Sequence, residues 1–172
     1  MKYFTTTGFG QSDVNSIRIN NETTSFDDAL VDGDIGNYNI YYYTSVLPAN
    51  AKEVKFPKLK WGSVLPCIMA RADGVKGERI CAGVLVIKIT KPNGKLLGSL
   101  AIEYAGNDES KQVSLEKLMT AVPDMIGRRG FGGILNGGVT TMGYKLVIDK
   151  FIYKNNLITK NFGTVLASIC FI

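Results

Sequence analysis

Ile80-Cys81-Ala82-Gly83-Val84-Leu85-Val86-Ile87-Lys88-Ile89-Thr90 is followed by Lys91-Pro92-Asn93-Gly94 and then by the second apolar run Leu96 to Tyr104. Both runs are rich in the apolar and β-branched residues that suit strands, and Pro-Asn-Gly suits a tight connection, so the segment reads as a β-hairpin. Outward from it, Val64–Ala70 reads as a further strand. So does the aromatic run Tyr38 to Leu47, which Pro48 stops. Tyr144–Tyr153 and Gly163–Ile172 read as closing strands. Ser114 to Ile126 carries Leu115, Leu118, Met119, Val122, Met125 and Ile126 at helical spacing, and Pro123 predicts a kink or two short helices. Phe26 to Val31 predicts a short helix with Ser25 as its N-cap. Residues 1–25 read as polar and turn-rich, with Gly8-Phe9-Gly10 and a Ser/Asn/Thr series, and the six glycines of Gly127–Gly138 read as a loop. The pattern predicts an α/β fold of the αββα-sandwich type, with mostly antiparallel sheets in a single domain spanning 1–172.

The 172 residues include 20 Lys+Arg, 15 Asp+Glu and no histidine. That zero excludes serine–histidine and cysteine–histidine nucleophile pairs, His metal ligands, and the side chain that titrates near pH 7 unperturbed. Acid–base chemistry must then come from carboxylates, Lys, Tyr, Cys or a group outside the twenty side chains. The net charge of +5 is spread over scattered lysines and reads as surface charge, not as a nucleic-acid face. Cys67, Cys81 and Cys170 are odd in number, far apart and set among apolar residues, so buried thiols in a reducing compartment are expected, with no zinc site. Met1-Lys2-Tyr3-Phe4-Thr5 does not read as a signal peptide, and no apolar run approaches the roughly 18 residues of a membrane span. The expectation is a cytoplasmic protein with no metal and no membrane or nucleic-acid partner.

Two further clusters are read conservatively. Gly127-Arg128-Arg129-Gly130-Phe131-Gly132-Gly133 lacks the Gly-Lys-Ser/Thr of a phosphate loop and reads as a mobile connection. Asp27, Asp28, Asp32 and Asp34 read as a helix N-terminus followed by a turn, with a cationic-ligand pocket as the alternative.

The most informative string is Gly36-Asn37-Tyr38-Asn39-Ile40-Tyr41-Tyr42-Tyr43-Thr44-Ser45-Val46-Leu47-Pro48. A Thr-Ser pair alone means nothing, but the whole string resembles the pyruvoyl-dependent arginine decarboxylases, whose processing site is a Ser-Ser or Thr-Ser pair before a hydrophobic pair and proline. Phe26-Asp27-Asp28-Ala29-Leu30, Gly77-Glu78, Ala82-Gly83, Ile102-Glu103-Tyr104 and Lys160-Asn161-Phe162-Gly163 extend the resemblance. It covers most of residues 8–106 and the last dozen or so, while 107–150 match loosely. Asp34 departs from the family, which often has a small or non-acidic residue there, and this bears on the substrate pocket. Ala49 departs too, at a position where many members carry proline or glycine.

The resemblance implies a pyruvoyl group made from Ser45. Its hydroxyl attacks the Thr44 carbonyl, and the resulting ester eliminates, leaving chains 1–44 and 45–172. It further implies decarboxylation of L-arginine to agmatine and CO2 through a Schiff base to that group, with Glu103 as proton donor and Asn39 assisting processing. Asp27 is implied as the guanidinium partner, and Leu30, Gly36, Tyr38 and Val46 as pocket lining. Asn39 and Ser45 share strand parity yet lie six residues apart, about 20 Å along an extended strand. Either the strand bends sharply, or Asn39 of one subunit serves Ser45 of its neighbour in a homotrimer, the assembly the family implies. The same machinery acting on another amino acid, or an unprocessed inactive homologue acting as a binding protein, are the alternatives.

Overall fold

Residues 1–13, 21–107 and 110–172 are described by the computed structural model. Along them run β1 (Lys2–Ser12), α1 (Asn21–Asp32), β2 (Asn39–Tyr42), β3 (Val46–Pro48), β4 (Lys52–Glu53) and β5 (Val64–Val75). β6 (Arg79–Thr90), β7 (Leu96–Asn107), α2 (Lys111–Arg128), β8 (Lys145–Leu157) and β9 (Phe162–Phe171) follow. One sheet has the order β2-β5-β9-β1-β4 and the other β3-β7-β6-β8. Pairing is antiparallel except for β1 with β4 and β2 with β5.

Three apolar layers follow from strand alternation. Residues such as Ile68, Val84, Val86, Ala101, Val165 and Ala167 fill the space between the sheets. Phe4, Ala29, Leu30, Ile35, Leu65 and Cys170 join α1 to the first sheet, and Leu85, Ile87, Leu100, Leu118, Val122 and Ile126 join α2 to the second. The αββα sandwich with mostly antiparallel sheets is therefore the architecture found. Cys67, Cys81 and Cys170 are buried free thiols, as the sequence suggested. Burial pushes the Cys67 thiol up to about 11 and Cys170 up to about 12, against the opposing hydrogen bond from Ser168. Among the described residues, no helix is long and apolar enough to cross a membrane.

Several local expectations are corrected. The segment read as polar and turn-rich contains β1, a long strand flanked by β9 and β4; the part of the Ser/Asn/Thr series within residues 14–20 lies outside the described residues. Gly8 and Gly10 are there because α1 lies directly on the strand: a Cβ on either would overlap the backbone of Ala29, and at Gly10 also that of Ser25. Ser25 is no N-cap, since α1 begins at Asn21 and Ser25 is buried with its hydroxyl 2.8 Å from Thr164 Oγ1. The four aspartates consequently lie in the second half of α1 and just beyond it. Asp28 and Asp32 are spaced one helical turn apart and accept the Gln11 and Phe9 backbone N–H groups of β1 at 3.1 and 2.9 Å.

Pro123 does not divide its helix. α2 is continuous over 18 residues, capped by Ser110, whose hydroxyl accepts from Val113 N–H at 3.2 Å. Leu118, Val122 and Ile126 form one buried stripe on the second sheet while Pro123 sits on the solvent side. There the carbonyl freed by the missing N–H meets water, so packing outweighs the helix-breaking tendency. The glycine-rich stretch is not all loop: α2 runs on to Arg128, and a 3-10 turn occupies Asn136–Gly138.

Candidate active site

The run Tyr38–Leu47, read as one strand, is two short strands in different sheets. β2 pairs parallel with β5 in the first sheet, and β3 pairs antiparallel with β7 in the second. Tyr43 N–H still bonds the Cys67 carbonyl at 2.8 Å, and Ser45 C=O already accepts from Ala101 N–H at 2.9 Å. Stacked sheets lie about 10 Å apart, a gap that the connection Tyr43–Ser45, bent at Ser45, spans. Thr44-Ser45 is thus the point where the chain passes from one sheet to the other. Thr44 is exposed and Ser45 half-buried.

Clefts flank this crossing on both sides. One, of about 430 Å³, is lined by Tyr43, Val64, Pro66, Phe171 and neighbours. The other, of about 280 Å³, lies beyond Val46 and Pro48 and is lined also by Leu97, Leu100, Arg129 and Phe131. The glycine loop that resembled no phosphate site contributes these last two side chains.

Glu103 lies on β7 two residues beyond Ala101, on the same face, about 7 Å along the strand from the residue that anchors Ser45. Ala101 points between the sheets, so Glu103 stands at the margin of that apolar layer. Burial raises the Glu103 carboxyl above its ordinary value, partly opposed by its own backbone N–H.

The remaining candidates stand apart. Leu30 is buried and Tyr38 packs partly buried in the layer between α1 and the first sheet. Gly36 lies against α1, where a Cβ would come within 2.7 Å of Val31 Cγ2. Asp27 is exposed on α1. Asn39 is held by a turn the sequence did not flag: its Nδ2 donates to Gly62 C=O at 2.7 Å, its N–H donates to Ser63 C=O at 2.9 Å, and Gly62 N–H donates to Asn37 C=O at 2.9 Å. Gly62, with φ +76°, provides the left-handed backbone this turn needs. β2 alone puts about 10 Å of strand between Asn39 and Tyr42, and the chain then turns away. Thr44, Ser45 and Val46 thus lie at the crossing with Glu103 further along β7, while Leu30 and Tyr38 share the α1 layer, Gly36 lies against α1, and Asp27 and Asn39 are exposed on α1 and β2.

Register explains what lies around Asn39. Asn39 is level with Val64 and Tyr41 with Pro66, and these four share the face of the first sheet that elsewhere packs on the second. Here that face is uncovered: Val64 is 64% exposed, Tyr41 60%, and the neighbouring Trp61 83%.

Compared with known families, residues 2–172 match the one described as "Pyruvoyl-dependent arginine decarboxylase". The chain belongs to the pyruvoyl-dependent arginine decarboxylase family. That family's description implies a covalently bound pyruvoyl group. Similar curated proteins include the pyruvoyl-dependent arginine decarboxylase of Methanococcus maripaludis, 35% identical over 86 residues, which are 49% of this chain and 51% of that protein. The Methanocaldococcus jannaschii protein of the same name is 35% identical over 89 residues, 51% of this chain and 52% of that protein. Pyruvoyl-dependent arginine decarboxylase AaxB of Chlamydia abortus is 39% identical over 112 residues, 59% of this chain and 56% of that protein. The chain thus spans about half the length of the curated relatives it matches.

Proposed function

We propose that the chain is a self-processing decarboxylase that converts arginine to agmatine and CO2. The observation that carries this reading is the placement of Thr44-Ser45 at the crossing between sheets, with the Ser45 carbonyl anchored on Ala101 N–H and Glu103 further along the same face of β7. Residue 45 is half-buried, and clefts are lined by the nearby Tyr43 and by Val46, which fits a small ketone that substrate must reach. When formed there, a pyruvoyl group supplies an electron sink for the bond that breaks as CO2 leaves.

The chain's own residues do the rest. Glu103 holds a proton to higher pH than a free carboxyl does, and so can deliver it to the product carbon. Asp27 offers a carboxylate that suits bidentate pairing with guanidinium. Asn39, fixed by Gly62 C=O, keeps an amide hydrogen for an oxyanion. The separation of Asn39 from Ser45, together with the uncovered apolar face around Asn39, supports a homotrimer in which one subunit's Asn39 serves its neighbour's Ser45. The buried free thiols are in keeping with a reducing cytoplasm.

A denaturing mass measurement tests this. Fragments divided between Thr44 and Ser45, the larger without a free amine, are expected from the purified chain, and an intact Ser45→Ala chain beside them. An unmodified chain that stays whole would overturn the reading. Turnover on arginine, lysine, histidine and ornithine then fixes the substrate, and activity on any of the last three with none on arginine would overturn the arginine assignment.

A further inference from the structure

Another cleft, of about 420 Å³, opens where the two sheets meet beyond β3, and none of the residues assigned to the active site lines it. Tyr3 of β1 and Glu53 of β4 reach it from the first sheet, and Lys88, Ser99, Asp149 and Lys150 reach it from the second. Strand register explains why these polar groups converge. Tyr3 is level with Glu53 and Lys88 with Ser99, and level residues share a face, here the one turned toward the opposite sheet. Regular alternation would send Asp149 and Lys150 to opposite faces of β8. Instead Lys150 is level with Val86 and Ile148 with Ile87, so Asp149 is the extra residue of a β-bulge, and both side chains line the cleft.

The charges there balance. Lys88 Nζ lies 2.5 Å from Asp149 Oδ1, and Lys150 pairs with Glu53 across the two sheets. A lone anion or a lone cation would meet a like charge beside each opposite one. Tyr3 is 7% exposed, and among the described residues its hydroxyl has no hydrogen-bond partner. Burial, and after it the charges of Glu53 and Asp149, raise its pKa, so the phenol keeps its proton and lies within reach of both carboxylates' fields. A buried hydroxyl without a partner is costly, and a polar ligand in the cleft would satisfy it.

We propose that this cleft binds a zwitterion, a free α-amino acid with an aliphatic side chain. Such a ligand carries both of the charges that the cleft can exchange. Its ammonium pairs with Glu53 and Asp149, its carboxylate with Lys88 and Lys150, and the Tyr3 hydroxyl supplies a further hydrogen bond. The two present ion pairs are partly exposed, with lysine side chains 47% and 27% exposed, so trading partners costs little. Leu47, Pro48 and Leu96 line the same cleft and offer apolar contact to the side chain. Leu47 and Pro48 belong to β3, which follows the Ser45 crossing, so the cleft neighbours the active site without sharing a residue with it.

Isothermal titration calorimetry of the purified chain with L-leucine tests this. Isopentylamine and isocaproate, which are leucine without its carboxylate and without its amine, serve as the comparison. Saturable binding of L-leucine is expected below about 10 mM, since metabolite sites usually work at or below the millimolar range. Each single-charge analogue, and L-leucine on Lys150→Gln, should bind at least about tenfold more weakly, the loss of one hydrogen bond to a charged group. Tyr3→Phe leaves both ion pairs in place and should weaken binding several-fold while the melting temperature holds or rises. A tyrosine with only a structural role would move the melting temperature and nothing else. Absence of saturable L-leucine binding, or binding that both variants keep unchanged, would overturn the proposal. So would an analogue that binds as tightly as L-leucine. Should Lys150→Gln fail to fold, the Tyr3→Phe comparison decides alone.

Discussion

Asp34 is the one non-glycine residue with positive φ among the described residues, at +61°. It follows α1, where Ile35 N–H bonds Leu30 C=O at 2.8 Å and Asp34 N–H bonds Val31 C=O at 3.0 Å. That pair of bonds is a Schellman motif, with Asp34 in the position where glycine is usual. A left-handed L-residue costs about 1 kcal/mol, and a negative charge at a helix C-terminus adds a few tenths. Asp34→Gly should therefore raise unfolding stability by about 1 kcal/mol, read as a higher urea midpoint with an unchanged slope. Legibility at this scale depends on what a residue touches. The buried cysteines could be read from their neighbours in sequence. The grip of Gly62 on Asn39 could not, because the partner is 23 residues away and is a backbone group without a sequence signature.

Among the elements, β1 is the one the sequence hid. Thr5-Thr6-Thr7-Gly8-Phe9-Gly10 looks like a turn because glycine disfavours strands, yet here glycine is what lets a helix lie against one. Gly10→Ala should cost about 1–3 kcal/mol, because its methyl meets helix backbone that cannot turn aside. Gly127→Ala is the contrast: it lies inside α2 with open space at its Cβ and no positive φ, and should stabilise by about 0.5–1 kcal/mol. Thermal or urea unfolding of the two variants, with opposite signs, checks the pair. The hairpin β6–β7 was legible because local turn chemistry and β-branched runs agree. The division of Tyr38–Leu47 was not, because both halves are strand-like and only the partner strands differ.

For the whole molecule, layers could be read from the apolar runs, but not which edge remains uncovered. The first sheet leaves Asn39, Tyr41, Val64 and Pro66 on a face that the second sheet does not reach, and a large exposed apolar patch marks an interaction surface. The proposed trimer puts a neighbour's processing site there. A solution mass about three times the 18.8 kDa chain is expected by light scattering. Co-expression gives a sharper test. Asn39→Ala and Ser45→Ala chains should each stay largely uncut alone, while together the Asn39→Ala chain should be cut, because its Ser45 meets a neighbour's intact Asn39. A mixture that stays uncut would sink the shared site.

The crossing at Thr44-Ser45 also decides what a cut there would do to the rest of the molecule. The shorter piece would carry β1, α1 and β2, and in its sheet β1 lies between β9 and β4 while β2 lines the outer side of β5. Its strands bracket two that belong to the longer piece. The fragments could not drift apart by releasing one edge; the sheet itself would have to open, with α1 peeled from Leu166 and Cys170 of β9 at the same time. A severed chain would behave as a woven pair, able to free a reactive end without coming undone.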